Sequence, residues 1–460
     1  MTTTAQADAF WQRAPRSRRL RDLEAAYQRG DFSPQEASEA LIRRVESLPE
    51  VTRATYIAFE PNRLRDSAPA QWQLSAGPLA GVPVSIKDLF DTTGEVTRAG
   101  SRVLAGAAPA ERDASAVARL RSAGAQLCGR TTMTEFAFSG LGLNPHYGSP
   151  PNPFDGKRIT GGSSSGGAAS VAFGLAAATL GSDTGGSLRI PAAFCGLTGF
   201  KPSQASVPLD GAYPLAPSLD CVGPIAPSVD CCARLWSVLA RRDMPTLDET
   251  PRPLRLAVPE GGLLEELDIE VAQAFALACD YLRAQGCHLE HLTINALDAV
   301  YAINQRGGLV VPEAAALHRE QLARHGALYD PQVYKRLEGG LDIPAHAYIE
   351  RLQPRAALQR DFCAELVGFD AVLLPTAPLL PPERERLEQE SEVFIDANRR
   401  ALRNTNVFNY LDAAALSLPF IAPGAALPIG LMVAAPQGED ARLLQTASVL
   451  EAWCERFAAG

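Results

Sequence analysis

Histidine is scarce in this 460-residue chain: there are six, and only His146 precedes position 288. A histidine base would have to come from His146 or from the late group His288, His291, His318, His325 and His346. No H-x-x-x-H or H-E-x-x-H pairing exists, so no metal site is expected. His146, followed by Tyr147-Gly148, reads as a loop residue. The nine cysteines are odd in number, scattered and never arranged C-x-x-C, which excludes a disulfide framework and a zinc site and fits reduced thiols. Cys231 and Cys232 read as two ordinary buried thiols. G-x-G-x-x-G and G-x-x-x-x-G-K-[ST] are both absent, so no nucleotide cofactor is indicated. Excess positive charge is lacking too: the net charge is −9, and only Arg13–Arg21 is locally basic, which argues against a nucleic-acid partner. No apolar region follows those arginines to make a signal peptide. The longest uncharged apolar stretch, Ala168–Gly181, is too short and too rich in Ala and Gly to span a membrane and is expected to be a buried helix. A soluble, cytoplasmic protein without cofactor is the expectation.

What is present is a globular composition, with 46% hydrophobic and 21% charged residues. Ser33-Pro34-Gln35-Glu36 is a capping box that predicts a helix to about Leu48, with Ala37, Ala40, Leu41 and Val45 inward. Leu79–Ile86 predicts a strand. Asp113 is expected to cap a helix over 114–123, and Ala125–Cys128 predicts the next strand. This strand–helix–strand rhythm defines an α/β fold. Gln204–Pro227, rich in Pro and Gly, is expected to wrap the surface. A helix and a strand return over Glu270–Thr293, and residues 300–368 read as helical with breaks at Tyr329-Asp330-Pro331 and Gly339-Gly340. Val372–Leu374 predicts a short strand, Gly424–Val433 a last hairpin, and about Asp440 to Phe457 a closing helix. Without a linker, residues 1–460 are expected to form one domain, with an N-terminal helical segment over about 1–60 and a helical cap or rim over about 300–400.

The richest stretch is Gly161–Phe200, in which ten of forty residues are glycine. Two hydroxyl-rich turns, Gly161–Gly167 and Ser182–Ser187, bracket an apolar segment, which no flexible linker would contain. A G-x-S-x-G match centres on Ser164, but the nucleophile elbow needs a strand before it, and Arg158-Ile159-Thr160 is a poor one. Backbone N–H groups before Ser187, with the pair Gly185-Gly186, can converge into a nest for an oxyanion; the same turn could simply enter a helix with Ser187 as cap. Lys87 ends an apolar strand. Desolvation there would lower its pKa and make it a base, unless it is paired with Asp88 or Asp91.

Taken together, GGSSSGGAAS…GSDTGGSLRIPAAFCGLTGFKP and GPLAGVPVSIKDLFD resemble the signature and lysine segments of the amidase signature family. SPQEASEALIRRV, TTMTEFAF, FDAVLLPTAP and LPIGLMVAAP extend the resemblance over most of the chain from about residue 20. Ser163 lies 24 residues before Ser187, as the family's paired serines do. The resemblance implies a large mixed central sheet covered by helices on both faces. It implies Ser187 as nucleophile, Ser163 as bridging serine after a cis bond at Gly162, and Lys87 as base. The backbone amides of Thr184, Gly185 and Gly186 would form the oxyanion hole. Ser182 stands where threonine is commoner. Asp183 and Arg189 fit the pattern and read as scaffold.

The implied activity is metal-free hydrolysis of carbonyl C–N bonds through an acyl-enzyme. An amidotransferase A-type subunit feeding a partner is the second reading, and a non-enzymatic binding protein the third. Thr134–Asn144 (TEFAFSGLGLN) replaces polar residues of the family's usual stretch with apolar ones and glycine. Phe136, Phe138, Leu141 and Leu143, with parts of the 300–400 cap, are therefore expected to line a mainly apolar pocket, unless the two phenylalanines simply pack in the core. Small-molecule aryl amides, anilides, carbamates or esters are the expected substrates; self-association is left open.

Overall fold

Successive strand residues face opposite sides of a sheet, and here the two sides feed two separate cores. Leu256, Val258, Leu373, Leu416, Leu418, Leu431 and Val433 belong to one cluster; their neighbours Ala257, Val372, Leu374, Ala415, Met432 and Ala434 belong to another. Both faces are thus covered, which is why these strands read as continuous apolar runs rather than alternating ones. In the computed structural model, which describes residues 2–69, 77–248 and 250–459, eleven strands form one mixed sheet. They are β1 (Tyr56–Ala58), β2 (Pro83–Lys87), β3 (Gln126–Thr131), β4 (Ala178–Asp183), β5 (Thr198–Lys201), β6 (Cys221–Ala226), β7 (Arg255–Pro259), β8 (His288–Leu292), β9 (Ala371–Pro375), β10 (Ala414–Phe420) and β11 (Ile429–Ala435). The spatial order is β1-β3-β2-β4-β6-β5-β10-β11-β9-β7-β8. The pairs β2–β3, β2–β4, β7–β8 and β7–β9 are parallel, and the rest antiparallel.

The capping box forms as expected: Glu36 N–H donates to Ser33 Oγ, and Ser33 N–H to Glu36 Oε2, at the start of the helix Pro34–Glu46. Four expectations need correction. Ala168–Gly181 is not one helix: Ser165–Ala172 is helical, Gly174 turns the chain at φ +72°, and β4 follows. Gln204–Pro227 does not stay on the surface, because its end is β6, wholly buried between β4 and β5. Gly223 hides that strand from a propensity reading, yet a Cβ there would sit 2.3 Å from the Phe200 carbonyl oxygen. Asp113 does not cap its helix; its carboxylate accepts from Thr93 N–H and pairs with Arg121, and Ala114 begins the helix Ser115–Ser122. Gly339-Gly340 lie inside the helix Pro331–Leu341, where Gly340 lets the helix Val310–His325 pass close by.

The last hairpin is β10–β11, so Gly424 belongs to its connection. Beyond position 295 the helices Asn295–Gln305, Val310–His325, Pro331–Leu341, Ala345–Leu352 and Arg355–Glu365 follow one another, then β9 returns to the sheet. The helix Ser391–Tyr410 buries its C-terminal half. No helix among the described residues is long and apolar enough to cross a membrane.

Candidate active site

The carboxyl ends of parallel strands in an open α/β sheet are where ligands gather, and β2 and β4 are adjacent and parallel. β2 ends in Lys87, and β4 ends in Ser182-Asp183. Ser85, two residues before Lys87, touches Ser170 of the helix Ser165–Ala172 with Oγ atoms 2.9 Å apart. Lys87, on the same face of the strand, therefore meets the turn that precedes this helix. Its ammonium nitrogen lies 2.8 Å from Ser163 Oγ and 2.9 Å from Ser182 Oγ. The pairing with a neighbouring aspartate is not made: Asp88 instead holds Arg130 at 2.8 Å. Full burial lowers the Lys87 pKa to about 7, with Asp183 and Asp220 pulling weakly the other way. A buried amine with hydroxyl neighbours loses more hydration than it regains as a cation.

Ser163 is fixed by its backbone. The Gly162–Ser163 peptide is cis, the Ser163 carbonyl accepts from Thr134 N–H at 3.1 Å, and Gly162 N–H donates to the Gly140 carbonyl at 2.8 Å. Two glycine-containing loops meet here at van der Waals limits: a Cβ on Gly162 would lie 2.5 Å from Gly142 N. Ser164, the centre of the G-x-S-x-G match, is buried with its hydroxyl toward the Ser182 carbonyl, and it precedes the helix without a strand before it. The elbow geometry is absent there.

The turn 184–187 is clamped from three sides. Asp183 accepts from Gly186 N–H at 2.8 Å and Leu188 N–H at 3.0 Å, and forms a buried ion pair with Arg189. Burial alone would raise the Asp183 carboxyl, but Arg189, Lys201 and Asn409 together outweigh it and hold the pKa at about 2. Thr405 of the helix Ser391–Tyr410 donates to the Gly185 carbonyl, and Asn409 donates to the Asp183 carbonyl. Thr184 Oγ1 donates to Asp220 Oδ1 at 2.5 Å, just before β6. Gly186 sits at φ +140°, where a Cβ would strike Thr405 Oγ1 at 2.3 Å, so both conformation and space call for glycine. The Gly186 N–H is spent on Asp183. The N–H groups of Thr184 and Gly185 have no partner among the described residues. Sequence reasoning noted Asp183 and Arg189 only as scaffold and missed Asp220, Thr405 and Asn409 altogether. Their contacts span separations of 36 to 226 residues, which no local motif encodes.

Ser187 opens onto a cavity of about 130 Å³ together with Thr184 and Gly185. Of the four expected pocket residues only Phe138 lines it. Phe136 is a correction: left-handed backbone at Phe136 and Ala137 (φ 51° and 60°) turns its ring away, against Tyr213, His318 and Tyr329. Leu141 and Leu143 are corrected too, since they pack into a separate core with Ile159, Ile190 and Phe194. The wall is completed by residues the sequence did not single out: Leu215, Asn304, Leu309, Val311, Arg336 and Asn406 among them. The histidines stand apart. His146 Nε2 contacts Glu135, while burial lowers His318 to about 4 beside Tyr329. Among the described residues, no cluster of His, Cys, Asp or Glu could hold a metal.

An amine of lowered pKa, a serine hydroxyl beside it, and a second serine on a turn with free amides form a set that can activate an oxygen nucleophile and receive an oxyanion. The sequence profile of the amidase family matches residues 36–444, and the chain belongs to that family. It is 33% identical to 2-amino-5-chloromuconic acid deaminase of Comamonas testosteroni, over 82% of each chain. It is 34% identical to the A-type subunit of glutamyl-tRNA(Gln) amidotransferase from a Roseiflexus species, over 78% of this chain and 81% of that one. A crystal structure of an amidase superposes with a TM-score of 0.84 at 34% identity, covering 94% of this chain and 99% of the other.

Proposed function

We propose that this protein is a hydrolase of small-molecule amides that works through a Ser187 acyl-enzyme, with Ser163 as proton relay and neutral Lys87 as base. The observation that carries the reading is Lys87: a buried amine, shifted to about 7, in hydrogen-bond contact with Ser163. In the proposed sequence Lys87 takes the Ser163 proton, and Ser163 takes that of Ser187 as Ser187 Oγ bonds to the carbonyl carbon. The oxyanion is received by the free N–H groups of Thr184 and Gly185, while Gly186 anchors the turn through Asp183. The proton then returns through Ser163 to the leaving nitrogen as the C–N bond breaks. Water repeats the cycle on the acyl-enzyme and releases the acid. No metal or organic cofactor enters this scheme.

Phe138, Leu215, Leu309 and Val311 in the wall favour an apolar substrate body such as an aryl amide or anilide; carbamates and esters offer Ser187 the same carbonyl. The test is acyl-enzyme trapping: mass spectrometry of the chain quenched during turnover of an activated anilide should show the acyl mass on the Ser187 peptide. Absence of that adduct, with turnover intact in Ser187→Ala, would falsify the scheme. The amidotransferase reading rests on the 34% identity to an A-type subunit of that enzyme. Glutamine hydrolysis that appears only on adding partner subunits would favour it.

A further inference from the structure

Each N–H of the turn 184–187 rides on a planar peptide unit whose carbonyl belongs to the residue before it, so a bond to that carbonyl aims the N–H as well. The unit that carries Thr184 N–H is fixed by Asn409, which donates to the Asp183 carbonyl at 3.0 Å. The unit that carries Gly186 N–H is fixed at both ends, by Thr405 at the Gly185 carbonyl and by Asp183 Oδ1 at the N–H. The unit between them, which carries Gly185 N–H, has neither. Among the described residues its Thr184 carbonyl accepts no hydrogen bond and its N–H donates none. Its one polar tie is the Thr184 side chain, whose Oγ1 donates to Asp220 Oδ1 at 2.5 Å. Packing adds little to that tie. Thr184 borders both the Ser187 cavity and a second one of about 150 Å³, which Asp220 also lines, and a side chain between two cavities has few contact atoms to set its rotamer. Asp220 itself is buried, accepts from the Leu215 and Ala216 N–H groups at 3.0 and 3.2 Å, and pairs with no cation among the described residues. Burial raises its pKa to about 6 against those hydrogen bonds, so it is an anion at neutral pH. A buried carboxylate without a counter-ion costs stability, whereas an ionised acceptor makes the shorter, stronger kind of hydrogen bond.

We propose that Asp220 is a positioning residue for catalysis: through Thr184 Oγ1 it sets the plane of the 184–185 peptide and thereby aims the Gly185 N–H at the oxyanion. This inference rests on the hydrolytic reading above and adds to it a residue that touches no reacting atom. Preorganised donors act where the oxyanion will sit, so a tilt of this one unit is felt in the transition state and hardly in substrate binding. The Asp183–Arg189 pair does not supply the same control, since the backbone bonds of Asp183 end at Gly186 N–H and Leu188 N–H, beyond that unit.

The experiment pairs anilide kinetics with inhibition by benzyl trifluoromethyl ketone, whose carbonyl carbon adds Ser187 Oγ to give a tetrahedral oxyanion visible by fluorine NMR. Thr184→Val removes the donor and leaves Asp220 its two backbone N–H partners. It should lower kcat about ten- to a hundredfold, less than the deletion of an oxyanion donor outright, and leave KM within about twofold. Ketone affinity should weaken by the same factor as kcat/KM. Thr184→Ser, which keeps the hydroxyl, should restore both to within about threefold of the unsubstituted chain. Asp220→Asn should cost about tenfold in the unsubstituted chain and less than about twofold on top of Thr184→Val, the mark of two residues acting as one unit. If Asp220→Asn does not fold, the two Thr184 variants decide. A kcat loss with ketone affinity unchanged would reflect a smaller folded fraction and overturns the proposal. So does a Thr184→Ser chain no better than Thr184→Val, or an Asp220→Asn cost that is equal in both backgrounds. The adduct separates this inference from the mechanism. If the ketone signal is the same in Ser187→Ala as in the unsubstituted chain, the hydrolytic reading falls and takes this inference with it. If the adduct needs Ser187 but is equally tight in Thr184→Val, only this inference falls.

Discussion

The two walls of the cavity are built differently. The inner wall comprises the ends of β2 and β4 and the turns at 162–163 and 184–187. Apart from Lys87, which meets only the hydroxyls of Ser163 and Ser182, the charged groups there are buried and answered: Asp183 by Arg189 and two backbone N–H groups, Asp88 by Arg130 and the Gly100 N–H. The outer wall comes from Asn304, residues 307–311, Arg336 and Asn406, carried largely by helices that are partly solvent-facing. The helix Val310–His325 buries only Ala314, Ala315, His318 and Leu322, and Pro331–Leu341 only Val333, Leu337 and Gly340. A wall with no slack fixes reacting atoms in place, whereas a loosely tied wall can change without unfolding the sheet. Chemistry is therefore assigned to the first wall and substrate choice to the second.

The sharpest way to break that division is Ser187→Ala. Turnover should fall by roughly 10⁴-fold or more, since a nucleophile has no partial substitute, with the circular dichroism and melting point unchanged because the removed hydroxyl makes no hydrogen bond among the described residues. Lys87→Ala should lose activity on a comparable scale. A Ser164→Ala chain that was dead while Ser187→Ala kept its rate would transfer the nucleophile to the glycine-serine run and end this reading.

Arg189→Leu probes the same wall through stability. It would leave Asp183 buried and unpaired, which costs about 3–5 kcal/mol when one partner of such a pair is removed. Urea denaturation should report a loss of that size. A loss below about 1 kcal/mol would show that Asn409 and the backbone N–H groups satisfy Asp183 without it.

The pH dependence follows from Lys87. Burial has lowered its pKa to about 7, and the base acts only when deprotonated. Falling pH protonates it, so kcat/KM should drop about tenfold per unit below pH 7 and level off above. A profile flat down to pH 5 would remove Lys87 as the titrating base.

How much of this was written in the sequence follows the same line between walls. The contact of Lys87 with Ser163 and the glycine-rich turn that carries Ser187 were legible because each lies in a short contiguous motif whose backbone requirements, glycines at close approaches and a polar end to an apolar strand, are local. The α/β rhythm was legible for the same reason. β6 was not, because its Gly223 answers to the Phe200 backbone across the sheet rather than to its own neighbours. The pocket was read wrongly from a contiguous stretch. Successive left-handed residues at Phe136 and Ala137 send one phenylalanine to the core and the next to the cavity, and such conformations are uncommon enough outside glycine that a pattern does not announce them. Arg336, Asn304 and Asp220 converge from distant segments, and only the fold brings them together.

The smallest effect, and the finest test of the two-wall division, lies within the outer wall itself. Val311 is half-buried and faces the cavity, whereas Ile349 is 57% exposed and outside its lining. Val311→Ala removes two methyl groups from the wall, and hydrophobic pockets discriminate by only about 1–3 kcal/mol per methylene. Because Val311 is only half-buried, the change should fall at the low end of that range, about fivefold to tenfold in relative kcat/KM between a bulky and a compact amide, acting mainly on KM. The rate of the acylation burst should stay nearly constant, because no contact to Lys87, Ser163 or Ser187 is altered. Ile349→Ala should shift neither quantity and should move stability by no more than about 0.5 kcal/mol, as exposed substitutions do. If instead Val311→Ala slowed the burst itself, the outer wall would be holding the reacting atoms as well as the substrate body. Specificity and catalysis would then share residues, and changing the rim would not retune the enzyme without cost to its rate.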